Sequence, residues 1–238
     1  MSLTTIAVIG GTGPQGRGLA YRLARAGHTV VLGSRDAARA SSAAVELGHE
    51  LEIGSVESRR VAGAVTGASN LDAAASAPVV LLAVPYDGHT ELVSSLAAAL
   101  AGKIVISCVN PLGFDKQGPF GLDVPAGSAA EEAASLAGGA TVVGAFHHLS
   151  APLLLDPDAD LSHEDVLVCG DDREAKELVM GLAADVTGGR GVDAGRLRLA
   201  RQLEPLTAVL ISVNKRYKTR SGVSITGLTQ AAHERVPA

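Results

Sequence analysis

The residues best suited to chemistry stand at the start of the chain. The apolar run Ile6-Ala7-Val8-Ile9 leads into Gly10-Gly11-Thr12-Gly13-Pro14-Gln15-Gly16, and a helix-compatible stretch, Arg17 to Ala26, follows. Gly11, Gly13 and Gly16 have the G-x-G-x-x-G spacing of a strand–turn–helix that binds a dinucleotide. The first glycine permits the tight turn. The second lets the backbone approach a pyrophosphate, and the third lets helix and strand pack closely. Spare N–H groups at the helix start face the anion. The competing reading is a glycine turn with no ligand, and the strand before it and the helix after it favour the site.

A second group of residues sets the cofactor type. Thr29-Val30-Val31-Leu32-Gly33-Ser34-Arg35 reads as a strand with no acid before Asp36. An NAD site places Asp or Glu at that end, on the ribose 2′-OH. A carboxylate would repel a 2′-phosphate, whereas a hydroxyl can donate to it and a guanidinium can grip it with two bonds. Arg39 falls four residues after Arg35, on the same face of a helix starting near Asp36. Ser34, Arg35 and Arg39 therefore form a candidate 2′-phosphate clamp, and NADP is the expected cofactor. The alternative is two solvated surface arginines.

Positioning these groups requires an α/β sheet. Asp36 to Leu47 reads as a helix stopped by Gly48. A short strand is expected over Val61 to Thr66, and a Ser69-capped helix through Ser76. Val79 to Val84 and Lys103 to Val109 are apolar runs suited to strands covered on both faces, with a helix from Gly88 to Leu100 between them. Right-handed crossovers then bring Gly10, Arg35, Pro85 and Asn110 to one carboxyl edge, where ligands bind. Residues 112–127 read as a glycine- and proline-rich loop, either a lid or a surface excursion. A helix follows from Ser128 to Leu136, and the strand Thr141 to Phe146 delivers His147-His148 to the same edge. Ala151 to Asp160 reads as a connection, Asp165 to Gly170 as a strand, Asp171-Asp172 as the cap of a helix through Ala184, and Gly188 to Gly195 as a linker. The fold class is a Rossmann-type doubly wound, mainly parallel sheet with a small C-terminal helical extension. The domains are residues 1–195 and 196–238.

In the last segment Leu199, Leu203, Leu206, Leu210, Val213 and Tyr217 make a helical seam, interrupted at Pro205. It can pack on its own sheet or on a second subunit. Lys215, Arg216, Lys218 and Arg220 follow; the helix dipole alone accounts for them, and an anionic ligand tail is the functional alternative.

Composition narrows the function classes. The 238 residues are 47% hydrophobic with a net charge of −5 and no Trp, which disfavours nucleic-acid and membrane-surface roles. Two cysteines in apolar runs read as reduced buried thiols. No metal-ligand spacing, leader peptide or membrane-length run is evident. The expectation is a cytoplasmic enzyme acting on small-molecule cofactors, without nucleic-acid or membrane partners.

For the acceptor of a hydride, Val84-Pro85-Tyr86, Asn110-Pro111 and His147-His148 are the candidate contacts. His147, at a strand's carboxyl end, can hydrogen-bond a substrate carbonyl or act as acid or base; a structural histidine is the alternative. No Tyr-x-x-x-Lys pair is obvious, and the chain has little protein with which to build an elaborate substrate site. A planar co-substrate that is itself a hydride carrier needs only ring alignment and exclusion of water.

The chain resembles the NADPH-dependent coenzyme F420 reductases, the F420H2:NADP oxidoreductases. The residues that carry the resemblance are Gly10-Gly11-Thr12-Gly13, Gly33-Ser34-Arg35, Gly144-Ala145-Phe146-His147, Val168-Cys169-Gly170-Asp171-Asp172, Asp193-Ala194-Gly195 and Leu203-Glu204-Pro205-Leu206-Thr207. His148-Leu149-Ser150 departs from the family's more usual Thr-Ile-Pro. The resemblance implies hydride transfer between C4 of NADP(H) and C5 of an 8-hydroxy-5-deazaflavin. Thr12, Ser34, Arg35 and Arg39 match its NADP positions, and His147 a histidine near the deazaflavin. It also implies a C-terminal segment that shapes the deazaflavin pocket and a homodimer, and a phosphate and oligoglutamate tail as partner for the basic patch. Pro14, Gln15, Val84, Pro85 and Asn110 complete the candidate cofactor contacts. The rival expectations are an NADP-dependent reductase of imines, ferric chelates or small carbonyls, and a non-enzymatic NADP sensor.

Overall fold

In the computed structural model, which describes residues 3–58 and 62–228, alternating apolar runs and helices wind into one eight-stranded sheet. The strands are β1 (Thr5–Ile9), β2 (Thr29–Ser34), β3 (Val65–Ser69), β4 (Val79–Leu82), β5 (Ile104–Ser107), β8 (Thr141–Gly144), β9 (Asp165–Gly170) and β10 (Arg190–Asp193). A hairpin, β6 (Leu112–Asp115) and β7 (Gly118–Gly121), stands apart. The sheet order is β10-β9-β8-β5-β4-β1-β2-β3. Six strands are parallel, and β9 joins β8 antiparallel, with β10 parallel to β9. The strand order reverses on either side of β1, so a crevice opens above the carboxyl ends of β1 and β4.

Period-two alternation supplies two cores. Ile6, Val8, Val79, Leu81 and Ile106 face α1 (Pro14–Arg25), α2 (Ala37–Ser58) and α7 (Arg173–Thr187). Ala7, Ile9, Val80, Leu82 and Val105 face α3 (Asn70–Ser76), α4 (His89–Leu100) and α5 (Ala129–Leu136). Both faces are covered, which is why these strands read as unbroken apolar runs.

Several elements depart from the sequence expectation. Gly48 does not end α2. Ala43, Ala44, Leu47 and Leu51 keep one face buried across it, and Arg17 braces Glu46 at 2.9 Å and Glu50 at 2.7 Å on either side. The third strand begins at Val65; Val61 lies outside the described residues. The 112–127 stretch contains the β6–β7 hairpin, whose turn is closed by Asp115 Oδ1 accepting from the Gln117 and Gly118 amides. The 151–160 connection holds a short helix, α6 (Ala151–Leu155). The buried Arg22 side chain fixes it by donating to the Leu153, Leu154, Asp156 and Ala159 carbonyls. The 188–195 linker contains β10, whose Arg190 pairs with Asp165 at 2.8 Å.

The last helix, α8 (Ala200–Tyr217), follows a 3-10 turn at Leu197–Leu199 and runs through Pro205. Its buried stripe is Ala200, Glu204 and Ala208, not the leucine seam, which stays half-exposed or exposed. The Pro205 ring lies against β7; a Cβ added to Gly121 would sit 2.8 Å from it.

Candidate functional site

The glycine turn is built from the backbone up. Gly10 has φ +81, and a Cβ there would lie 2.5 Å from the Ala83 carbonyl oxygen and 2.8 Å from Val84 Cγ1. No L-side chain fits, so this glycine, just before the G-x-G-x-x-G set, carries the turn. At Gly16 a Cβ would meet the Gly10 carbonyl oxygen at 2.5 Å, and at Gly11 the Val8 carbonyl oxygen at 2.9 Å. At Gly13 a Cβ would make ordinary contact with the Gly10 carbonyl oxygen, at 3.4 Å. The amides of Gly10 and Gly11 both donate to the Gly33 carbonyl, at 3.2 and 3.1 Å. The turn is thereby stitched to the end of β2, and Ser34 is held beside it.

Helix α1 then begins with Pro14, a donor-free residue suited to the first helical position, and Gly13 offers no side-chain cap. The amides of Gln15 and Gly16 in that first turn have no i−4 carbonyl of the helix to bond. They and Thr12 line the place where a pyrophosphate would sit. This cradle fits a dinucleotide.

At the end of β2, Ser34 is buried and its hydroxyl accepts from the Asp36 amide at 3.3 Å. Asp36 is turned away into the start of α2, where its Oδ1 accepts from the Ala38 and Arg39 amides at 2.9 and 3.2 Å. It therefore caps a helix and does not take the place of a ribose-binding acid. Arg35 and Arg39 are exposed and form no ion pair with any described residue. Those features suit a 2′-phosphate and oppose none.

Val84 and Pro85 leave β4 directly above Gly10, and Asn110 leaves β5 beside them. Asn110 Nδ2 donates to the His147 carbonyl at 2.8 Å and to Thr207 Oγ1 at 3.1 Å. The Thr207 hydroxyl donates to the same His147 carbonyl at 2.8 Å. Gln15 Nε2 reaches the Phe146 carbonyl at 3.3 Å. Phe146 is fully buried with φ 66, a left-handed conformation that surrounding contacts must hold. The turn after β8 is thus gripped from the glycine turn, from β5 and from α8.

The two histidines diverge. His148 points to the Asp165 carbonyl, Nε2 to oxygen 2.8 Å, and is structural. His147 is 2% exposed; neither ring nitrogen makes a well-formed hydrogen bond among the described residues, and the polar group that acts on the ring from the backbone is that of Val109. A Cβ added to Gly144 would lie 3.2 Å from His147 Nε2, so the ring turns back toward the sheet. Burial, and then His148, push its pKa down to about 3. The Val109 backbone opposes that shift only in part; His147 is neutral at physiological pH, and its buried ring acts through packing and its backbone carbonyl rather than as an acid or base.

Beside this turn lies a cavity of about 450 Å³ between the start of α6 and α8. Leu149, Leu210 and Ile211 give it apolar walls, Thr207 borders the His147 turn, and Lys215 and Arg220 rim it. The resemblance implied a pocket shaped by the C-terminal segment, and the residues alone did not show which ones would wall it. Glu204 stood only as part of a matching motif, with no role assigned to it. Its carboxylate is buried and accepts from the Ala129 and Ala130 amides at 2.9 and 3.0 Å, fastening α8 to the start of α5. Burial raises its pKa to about 7, with those two amides opposing. No local pattern in sequence marks a partner 74 residues away.

Comparison with known proteins fits this geometry. A family described as NADP oxidoreductase coenzyme F420-dependent matches residues 5–111. The F420-dependent NADP reductase of Methanothermobacter marburgensis is 39% identical over 230 residues, covering 94% of this chain and 99% of its own. The chain belongs to the F420-dependent NADP reductase family. The enzyme of the same name from Methanocaldococcus jannaschii is 37% identical over 227 residues, 94% of this chain and 98% of its own. A solved structure from Arthrobacter sp. FB24, provisionally named an F420-dependent NADP reductase, superposes with TM-score 0.75 at 28% identity, over 94% of this chain and 99% of that one. The similarity to these relatives covers 94% of the chain and so extends well beyond residues 5–111. No described helix is long and apolar enough to cross a membrane, and no described cluster of His, Cys, Asp or Glu could hold a metal ion.

Proposed function

We propose that this chain transfers a hydride reversibly between NADP(H) and coenzyme F420. The dinucleotide lies over Gly10–Gly16 and the deazaflavin in the adjoining cavity. The observation that carries the reading is the junction of the two places: the Thr207 hydroxyl that borders the cavity also holds the His147 carbonyl at the dinucleotide edge. When bound, the reduced nicotinamide supplies a hydride from C4 to C5 of the deazaflavin. Gly11, Thr12, Gly13, Pro14, Gln15 and Gly16 cradle the pyrophosphate, and Ser34, Arg35 and Arg39 take the 2′-phosphate. Val84, Pro85 and Asn110 flank the nicotinamide. His147 stays neutral and shapes the floor between the rings. Alignment of two rings with water excluded accounts for the acceleration, and no covalent intermediate is needed.

Residues 196–238 are the proposed extension that completes the deazaflavin pocket. Lys215 and Arg220, unpaired with any described acid, suit the deazaflavin's anionic tail. A homodimer is part of the proposal: Phe114, Phe120 and Leu122 of the hairpin and Val209 and Tyr217 of α8 are all exposed, an apolar surface that a second copy would cover. A monomeric mass in solution would overturn that part. Two free buried thiols, Cys108 and Cys169, suit a reducing cytoplasm; recovery of the protein from a membrane or secreted fraction would overturn that location. The activity itself is tested by mixing protein, NADPH and oxidised coenzyme F420 and following loss of the deazaflavin's visible absorbance.

A further inference from the structure

We infer that Glu132 is a positioning residue: through Tyr86 and His89 it fixes the Ala83–Tyr86 wall of the crevice, and with it the nicotinamide half of the dinucleotide. The inference rests on the NADP reading of the crevice and not on the identity of the hydride acceptor.

The wall is the segment between β4 and α4. Its near end is set by the Ala83 amide, which donates to the Ile9 carbonyl at 2.9 Å, and by the closeness of Ala83 and Val84 to Gly10. Its far end has no such support from the sheet. Helix α4 begins after Gly88, at φ 77, with no side-chain cap. Glu132 on α5 supplies the restraint. One carboxylate gathers three donors: His89 Nδ1 at 2.7 Å, Thr90 Oγ1 at 3.0 Å and the Tyr86 hydroxyl at 3.3 Å. The Tyr86 and His89 rings lie against each other, centroids 5.9 Å apart. Burial first, and then Glu132, raise the Tyr86 pKa, so the phenol remains a neutral donor.

Two observations favour positioning over mere packing. Helix α5 is held without Glu132: Ser128 caps it, Glu204 takes its first amides, Arg201 pairs with Glu131, and Ala129, Ala130 and Ala133 are in the core with Val93 and Leu96 of α4. Glu132 therefore reaches from a fixed post. His89 is also 1% exposed, and its Nε2 has no partner among the described residues. With Nδ1 committed to the carboxylate, that nitrogen is a buried polar atom without a bond. Packing alone gains nothing from a buried orphan, and such atoms are tolerated where position matters.

The test uses Glu132→Ala and Glu132→Gln in the full chain, with two ligands. One is NADPH, read by its nicotinamide fluorescence; the other is 2′-phospho-ADP-ribose, which lacks the nicotinamide. For Glu132→Ala the fragment's Kd should stay within about twofold, while the NADPH fluorescence enhancement is lost and kcat with coenzyme F420 falls roughly tenfold to a hundredfold, as for an ångström-scale misplacement. Glu132→Gln, which keeps an oxygen acceptor, should recover most of both. Should the alanine variant fail to fold, Tyr86→Phe, which removes the phenol's bond to Glu132 and keeps the ring, carries the same comparison, with Glu132→Gln as its near-wild-type control. Equal weakening of NADPH and the fragment, or no change in either readout, would overturn the inference. Failure of the wild type to reduce coenzyme F420 would refute the proposed acceptor and leave the fluorescence comparison intact.

Discussion

Replacing Arg35 with alanine should convert the chain's preference between NADPH and NADH, by an amount that follows from the site. Arg35 is exposed and pairs with no described acid, so the fold loses no ion pair and stability should move by no more than about 0.5 kcal/mol. What is lost is its grip on the 2′-phosphate. Hydrogen bonds to charged groups contribute about 1.5–3 kcal/mol, and solvent exposure puts this one at the lower end. A loss of about 1.5 kcal/mol is roughly tenfold in kcat/KM for NADPH. NADH has no phosphate there, and its kcat/KM should hardly change. Arg35→Ala with Arg39→Ala should cost less than the sum, because both act on one phosphate. The wild-type preference should also narrow as salt rises, since the groups are exposed. Steady-state kinetics with the two nucleotides reads all three effects. Equal losses for NADPH and NADH in Arg35→Ala would refute the clamp.

Two further outcomes follow from buried titrating groups. Glu204 has a folded pKa raised to about 7, above its ordinary 4.5. Its protonation favours the fold, so stability is full below the lower value and is lost as pH rises through the upper one. The difference is about 3 kcal/mol. Melting temperatures of the wild type should fall between pH 5 and pH 8 more than those of Glu204→Gln; parallel curves would contradict this. His147 has the opposite sign: its pKa is depressed from 6.5 to about 3, so stability is present above 6.5 and is lost as pH falls toward 3. His147→Ala should weaken the use of deazaflavin, leave NADP affinity nearly intact, and move no inflection of the rate near pH 6.5. An unchanged KM and kcat for deazaflavin would remove His147 from the site.

The sequence made the dinucleotide edge legible because its signals are local. Gly10 to Gly16, the acid-free end of β2 and the caps Ser69, Ser128 and Asp172 each act within a few residues of themselves. Elements that depend on distant partners were not legible. Helix α2 continues past Gly48 because Leu51 and Arg17 support it from another element. The edge strand β10 stands through Arg190 on Asp165, 25 residues back. The β6–β7 hairpin did leave a mark, Asp115-Lys116-Gln117-Gly118, a turn whose last residue has φ 125; the flanking glycines and proline masked its strands. On α8 the leucine period marked a helix correctly, but the buried stripe runs along Ala200, Glu204 and Ala208. The docking of Glu204 onto the amides of α5, of Thr207 onto Asn110 and the His147 carbonyl, and of Pro205 onto β7 selects that face. The resemblance implied a pocket at this end of the chain, but its walls were not legible for the same reason: they meet only once α6 and α8 are brought together.

The most direct measurement is spectrophotometric. Purified protein is mixed with oxidised coenzyme F420 and NADPH, with NADH in a parallel cuvette, and the deazaflavin absorbance is followed. The account predicts rapid bleaching with NADPH and little with NADH. No bleaching by a protein that still binds NADPH in a separate titration would contradict it.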